Sequence, residues 1–222
     1  MKKITTLYFA ITMSVFGYAQ KIKIRESNES IAGANHNALV VTLYGVTPSD
    51  AEDAFKSYMK MYDGKRTSKS GAVFIDHALI KEIGNNTVDV YAKATGKKGD
   101  AEITLVVAFD LGGAYLNSTD HKEQYKAAEK ILRDYAVKTT KEAIADRLKD
   151  AKKAQSKLEG AQHDLEKDKK DLSEDIANYK LKIKKAEDNI EQNKSDQEKK
   201  KSEIEAQKRA VEEIENKLKA VE

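Results

Sequence analysis

The stretch LEGAQHDLEKDKKDLSEDIANYKLKIKKAEDNI, residues 158–190, decides the fold. Leu158, Leu165 and Leu172 recur every seven residues, and Ile176, Ile183 and Ile190 continue at the same interval after a step of four. A helix repeats its faces every 3.6 residues, so this 3-4 spacing keeps all six side chains on one stripe, whereas a strand scatters them over both faces. Extended in both directions, the spacing gives two columns. The first runs Leu148, Gln155, Gln162, Lys169, Ile176, Ile183, Ile190, Gln197, Ile204, Val211 and Leu218. The second runs Ile144, Ala151, Leu158, Leu165, Leu172, Tyr179, Ala186, Asn193, Lys200, Gln207, Ile214 and Val221. Seven of 11 positions in the first and nine of 12 in the second are apolar or aromatic, although residues 141–222 hold 21 Lys+Arg and 21 Asp+Glu. A solvated tail has no reason to keep phase over so many heptads, so the segment reads as a coiled coil.

With the columns taken as a and d, Ile or Val fills the best a positions and Leu158, Leu165 and Leu172 fill d, a tendency of parallel dimers. The flanking charges agree. In a parallel pair each g residue faces the e residue five positions on, which from residue 175 onward matches Asp175/Lys180, Lys182/Glu187, Asp196/Lys201, Glu203/Lys208 and Lys217/Glu222. Asn189/Lys194 and Ala210/Glu215 are neutral. A homo-oligomer follows, with a parallel dimer as the reading and a trimer or an intramolecular antiparallel hairpin as alternatives. Its core residues are Leu148, Leu158, Leu165, Leu172, Ile176, Tyr179, Ile183, Ile190, Ile204, Val211, Ile214 and Leu218. Asn193, Gln197 and Lys200 interrupt that core, as a tolerated weak spot, a register-setting layer or a joint. Gly160, at an outward f position, is where a helix folding back would bend; a single helix over residues 120–221 would span about 150 Å.

Upstream the composition changes. Apart from Gly160, every glycine lies at or before residue 113, and Pro48 is the only proline. Leu39-Val40-Val41-Thr42-Leu43-Tyr44 reads as a buried strand ending at Gly45. Thr47, Pro48 and Asp50 supply an N-cap, a first-turn proline and an acidic third position, and Ala51, Ala54, Phe55, Tyr58 and Tyr62 then share one helical face. Asp63-Gly64 ends that helix. Strands follow at residues 72–75, with an extension to residue 80 allowed, at 88–92 and at 103–111, separated by turns at Gly84-Asn85-Asn86 and around Gly96-Lys97-Lys98-Gly99-Asp100. In the last strand Ile103, Leu105, Val107, Phe109 and Leu111 alternate onto one face. The expected class is α+β: a small antiparallel sheet domain over residues 20–118 in the order β-α-β-β-β-α, then a long C-terminal helix over residues 119–222 with heptads across 144–221.

Residues 1–19 read as a signal peptide. Lys2 and Lys3 precede an uncharged stretch over residues 4–18, and Gly17-Tyr18-Ala19 offers small residues at the cleavage positions. This stretch is too short and too interrupted by Thr and Ser to span a bilayer, so no transmembrane segment is expected in the mature chain. The expected location is the periplasm of a Gram-negative bacterium, with the outer surface or the medium as alternatives. Of the formal net charge of +3, Lys2 and Lys3 contribute 2, residues 20–140 contribute +1 and residues 141–222 contribute 0. The basic excess that phosphate-backbone binding needs is missing, and nucleic acid is not an expected partner. The chain has no cysteine, which excludes disulfides, thiol catalysis and zinc-thiolate sites.

Little points to chemistry. His77 follows Asp76 and invites a metal or acid-base site with His36, yet no HExxH, paired-histidine or EF-hand spacing accompanies them, and isolated histidines are the reading. A low-ranked ligand site is Asp110, Gly112 and Gly113, since a glycine pair after a strand lets a ligand approach the backbone; no GxGxxG or P-loop spacing accompanies it, and a plain turn toward a helix cap at residues 117–120 explains it without function. Lys65, Arg66 and Lys69 with Lys97 and Lys98 would make a basic rim for an anionic glycan or lipid, or keep a sheet edge soluble. No catalytic residue, metal ligand or cofactor is expected.

The order of parts, with Asn35-His36-Asn37-Ala38-Leu39-Val40-Val41, Asn85-Asn86-Thr87-Val88-Asp89-Val90-Tyr91 and Asp110-Leu111-Gly112-Gly113-Ala114-Tyr115, resembles a group of uncharacterised exported Bacteroidota proteins with a small α+β domain and a C-terminal coiled coil. That resemblance brings no activity and no site residues. At the level of architecture the chain is also similar to the Skp/OmpH-type periplasmic chaperones, which join a small β body to coiled-coil arms. Here the arm follows the body instead of being inserted in it, and the strong basic charge is absent. The expected function is a non-enzymatic envelope scaffold or spacer that dimerises through its helix; a lipid- or glycan-binding module tethered by the helix and a holdase-like chaperone are the alternatives.

Overall fold

The computed structural model describes residues 21–97 and 99–220, so the signal-peptide reading, Lys98 and the last two residues lie outside it. The fold is α+β: a six-stranded antiparallel sheet with a helix on it, followed by one long C-terminal helix. In chain order the elements are β1 (Ile24–Ile31), β2 (Ala34–Tyr44), α1 (Pro48–Tyr58), a 3-10 turn (Met59–Tyr62), β3 (Asp63–Lys69), β4 (Ala72–Ala78), β5 (Val88–Thr95), β6 (Glu102–Asp110) and α2 (Lys122–Lys219). The strands lie side by side as β1-β2-β6-β5-β4-β3.

The sheet holds two strands more than the sequence reading named, and both are edges. β1 (IRESNESI) and β3 (DGKRTSK) lack the apolar alternation that marks a buried strand. They are strands because their neighbours satisfy their backbones, β1 along β2 from Ile24↔Val41 to Ile31↔Ala34 and β3 along β4 from Asp63↔Ala78 to Lys69↔Ala72. Each hairpin closes through a two-residue turn with both residues at positive φ, Ala32-Gly33 (57° and 93°) and Ser70-Gly71 (51° and 74°). That backbone twist matches the twist of paired strands, which explains the glycine second in each turn. Lys65, Arg66 and Lys69 all lie on edge strand β3, where charge discourages pairing with another chain.

β6 lies at the centre, and the alternation read from its sequence holds: Ile103, Leu105, Val107 and Phe109 enter the main core. Its other face is buried too, since Val106 and Ala108 join Ala38, Val40 and Tyr91 in a smaller cluster. α1 covers the main-core face. Thr47 caps it, its Oγ1 accepting from the Asp50 amide at 3.2 Å and donating to the Asp50 carboxylate at 2.7 Å, while Ala51 and Phe55 are fully buried. The Ala94 amide donates to Glu52 Oε1 at 2.9 Å, tying α1 to β5.

The chain divides into two compact units, the first ending at Ala151 and the second beginning at Lys152. The early turns of α2 therefore belong with the sheet. Ala128, Leu132, Tyr135 and Ala136 are fully buried, at the i, i+4, i+7, i+8 spacing of one face. The Tyr135 ring meets Phe55 and Tyr58 edge-on at 5.2 and 5.5 Å between centroids, and its hydroxyl donates to the Ala51 carbonyl at 2.7 Å. In the second unit α2 runs through Gly160 without interruption. Among the described residues no helix is long and apolar enough to cross a membrane.

Candidate functional site

Two features stand out for function: a polar corner of the sheet and the uncovered length of α2. The corner begins at Asp110, the last residue of β6, whose strand partner is Asp89 of β5. The chain then reverses tightly. The Leu111 amide donates to the Ala114 carbonyl at 3.0 Å, the Leu116 amide to the Phe109 carbonyl at 2.9 Å, and the Gly112 amide to Asp110 Oδ1 at 2.9 Å. Gly112 sits at φ 88°, which is why a glycine is needed there, and a Cβ on either Gly112 or Gly113 would meet nothing within 4 Å. The glycine pair thus makes a turn on open surface. Its consequence is to return Tyr115 beside Asp110, where the Tyr115 ring stacks on His36 at 3.8 Å. Burial, and next the Asp110 carboxylate, push the Tyr115 hydroxyl up to about 12.

Next to this pair lies a group that sequence spacing did not reveal. Between Ile75 and Ala78 the β4–β5 register shifts, and His77 takes φ 55°. Successive residues of a regular strand point to opposite faces, but a bulge breaks that rule. Asp76 and His77 are thereby brought together, with His77 Nδ1 2.6 Å from Asp76 Oδ1. The His77 amide donates to Asp89 Oδ1 at 2.9 Å, and ligand atoms of Asp76, His77 and Asp89 all lie within 4.8 Å of one another. One imidazole and two carboxylates make a donor set suited to a divalent first-row ion. The Asp76–His77 contact is also an ordinary surface hydrogen bond, with three-quarters of the His77 side chain in solvent. His36 takes no part in this trio; Asp89 does. Asp89 is flanked by Val88 and Val90, so period-2 alternation alone places it on the face opposite the core, but only the bulge carries His77 to it.

The Lys69 ammonium lies over Phe74 and Tyr91 at 4.9 and 5.6 Å from their ring centroids, while Arg66 turns back to the carbonyls of Asp63 and Gly64. Phe74 and Tyr91 stack on each other at 4.7 Å.

The second feature is simpler. From residue 144 to residue 220 every described residue is exposed. Leu148, Leu158, Leu165, Leu172, Ile176, Tyr179, Ile183, Ile190, Ile204, Val211, Ile214 and Leu218 are 45% to 72% accessible, which makes a stripe of large apolar side chains. Monomeric proteins rarely leave such an extended apolar surface in water. Charged side chains on the same stretch pair along the helix, as in Lys170–Glu174 at 3.8 Å and Lys208–Glu205 at 3.1 Å. Such pairs support the helix by a few tenths of a kcal/mol each.

No protein-family model matches the chain, and comparison with curated proteins and with solved structures finds no match. Function therefore has to be argued from these two features. The corner presents carboxylates and an imidazole on open surface; the helix presents apolar area in a repeating pattern, and the pattern has one well-defined physical use.

Proposed function

We propose that this chain is a non-enzymatic exported envelope protein that acts as a scaffold or spacer: its C-terminal helix pairs with that of another copy in a coiled coil, and each copy presents its sheet domain to a partner in the envelope. The observation that carries this reading is the exposed 3-4 stripe over residues 144–218 on a helix whose remaining surface is mostly charged and polar. Burying a Val, Leu or Ile side chain contributes about 1.5–3 kcal/mol, so the twelve exposed on this stripe are a large driving force for association. The N-terminal lysines and uncharged stretch support export, and the periplasm of a Gram-negative cell is the proposed location.

Light scattering of the purified chain at micromolar concentration should give twice the monomer mass. Replacing Leu165 and Leu172 together by Lys should return it to monomer while leaving the near-UV circular dichroism of the sheet domain unchanged. A wild-type chain that remains monomeric overturns the proposal. Cell fractionation with N-terminal sequencing checks export; a first residue of Gln20 in the periplasmic fraction is expected, and retention of Lys2 in the cytoplasm contradicts it.

A further inference from the structure

The apolar stripe has a defined irregularity at Asn193, Gln197 and Lys200. Resting on the self-association proposed above, we infer that the second copy docks parallel and in register, with charge setting the direction and this polar layer setting the register.

Within one helix the layer is ordered. Gln197 Nε2 donates to Asn193 Oδ1 at 2.6 Å, and the Lys200 ammonium lies 2.5 Å from Glu203 Oε2 at the flanking g position. Lys200 thus draws its charge out of the seam, as long lysine side chains do. Next to it the helix surface forms two shallow grooves. One has Gln197, Lys200, Lys201 and Ile204 among its lining residues, and the other has Ile204, Gln207, Lys208 and Val211. Each set is i, i+3, i+4 and i+7, the four-residue hole that receives a knob from a facing helix.

Register follows from what faces the layer. In a parallel, unshifted pair Asn193 and Gln197 meet their own counterparts, and their amides can hydrogen-bond across the seam. A slip of one heptad sets Gln197 against Ile190 or Ile204 and leaves its amide oxygen desolvated with no donor across the seam, at a cost of about 1–3 kcal/mol for each buried group. Polarity alone does not fully choose the direction. An antiparallel alignment that sets Asn193 opposite Lys169 and Lys200 opposite Gln162 matches polar with polar at those two layers and sets Gln197 against Leu165. That alignment, however, brings Lys182 against the second copy's Lys182 and Asp196 against its Asp168. The parallel one pairs Lys182 with Glu187, Asp196 with Lys201 and Glu203 with Lys208. Like charges at flanking positions select against the antiparallel form.

The chain has no cysteine, so single cysteines report the geometry directly. In the full chain, Leu172→Cys and Ile214→Cys, both at d, should each form a disulfide-linked dimer under mild oxidation. When Ile183→Cys and Ile190→Cys chains are mixed, peptide mapping should find only like-with-like disulfides. A one-heptad slip moves the helices by about 10 Å, beyond the roughly 4.4–6.8 Å between Cα atoms that a disulfide tolerates. Replacing the layer (Asn193→Leu, Gln197→Ile and Lys200→Leu) should raise the 183–190 mixed disulfide at least tenfold. A monomer by light scattering overturns the self-association itself. A dimer that forms no linkage at residue 172 or 214, a trimer, or a mixed disulfide unchanged by the layer substitutions overturns the parallel in-register arrangement alone.

Discussion

Residues 122–140 and 141–219 belong to one helix, each with apolar residues gathered on one face, and end in opposite conditions. In the first stretch Ala128, Leu132, Tyr135 and Ala136 are fully buried; in the second Leu158, Leu165 and Leu172 are about two-thirds exposed. Helical periodicity says which side chains share a face, and it says nothing about what covers that face. For the first stretch the cover is α1 and the sheet of the same chain. For the second, the described residues supply no cover.

The difference can be broken most forcefully by truncation. Leu132→Ala should destabilise the sheet domain by about 3 kcal/mol, the usual cost of a cavity at a fully buried leucine. Leu165→Ala should leave that domain's urea transition in place and lower only the concentration-dependent melting of the helix. If the two variants shift the same transition equally, the two stretches are not the distinct environments described here.

Tyr135→Phe is a milder probe of the first stretch. It keeps the ring against Phe55 and Tyr58 and removes the hydroxyl's hydrogen bond to the Ala51 carbonyl, which lies within α1. A loss of about 1 kcal/mol is expected in urea unfolding followed by tyrosine fluorescence. Tyr179→Phe, on the exposed stripe, should cost the sheet domain nothing.

Alkaline pH sharpens the contrast without mutation. Burial in the first place, helped by nearby carboxylates such as Glu82 beside Tyr62 and Glu26 beside Tyr125, pushes the hydroxyls of Tyr62, Tyr115 and Tyr125 up to about 12. An unfolded tyrosine ionises near 10, so the folded state binds the proton more tightly. The associated stability is complete below pH 10 and is lost as pH rises from about 10 to about 12. Sheet-domain stability should therefore be level up to pH 10 and fall steeply above it, as read by urea midpoints across that range.

The smallest expected effect concerns the loop that leads into α2. Burial alone would raise the Glu26 carboxyl, but hydrogen bonds from the Ser118 hydroxyl, the Asn37 amide and the Ser118 backbone outweigh it and hold the group below its ordinary value. Its contribution is present above the ordinary carboxylate range and is lost as pH falls from there through the depressed folded-state value. Glu26→Gln should cost about 1 kcal/mol at neutral pH and flatten the acid side of the stability profile.

Legibility in the sequence follows the same division. The central strands and α1 could be read from apolar alternation and from the Thr47-Pro48-Asp50 start signal, because burial on a fixed side imposes a period. β1 and β3 could not, since an edge strand is specified by its neighbour's backbone; the clues were the Ala32-Gly33 and Ser70-Gly71 dipeptides, whose positive φ values mark tight hairpins. At the polar corner Asp110, Gly112 and Gly113 were visible as a turn after a strand. The trio of Asp76, His77 and Asp89 was not, because it depends on a bulge that breaks the rule by which strand residues are assigned to faces.

The sequence by itself determined the class, the central strands, the first helix with its cap, and the 3-4 stripe that any partner of α2 must match, all of them consequences of local periodicity and side-chain chemistry. Only the tertiary structure decided that α2 completes the sheet's core before its stripe emerges uncovered, that two polar segments serve as edge strands, and that His77 meets Asp89. Each of these depends on which distant groups share space, and that is set by packing and backbone pairing across the chain.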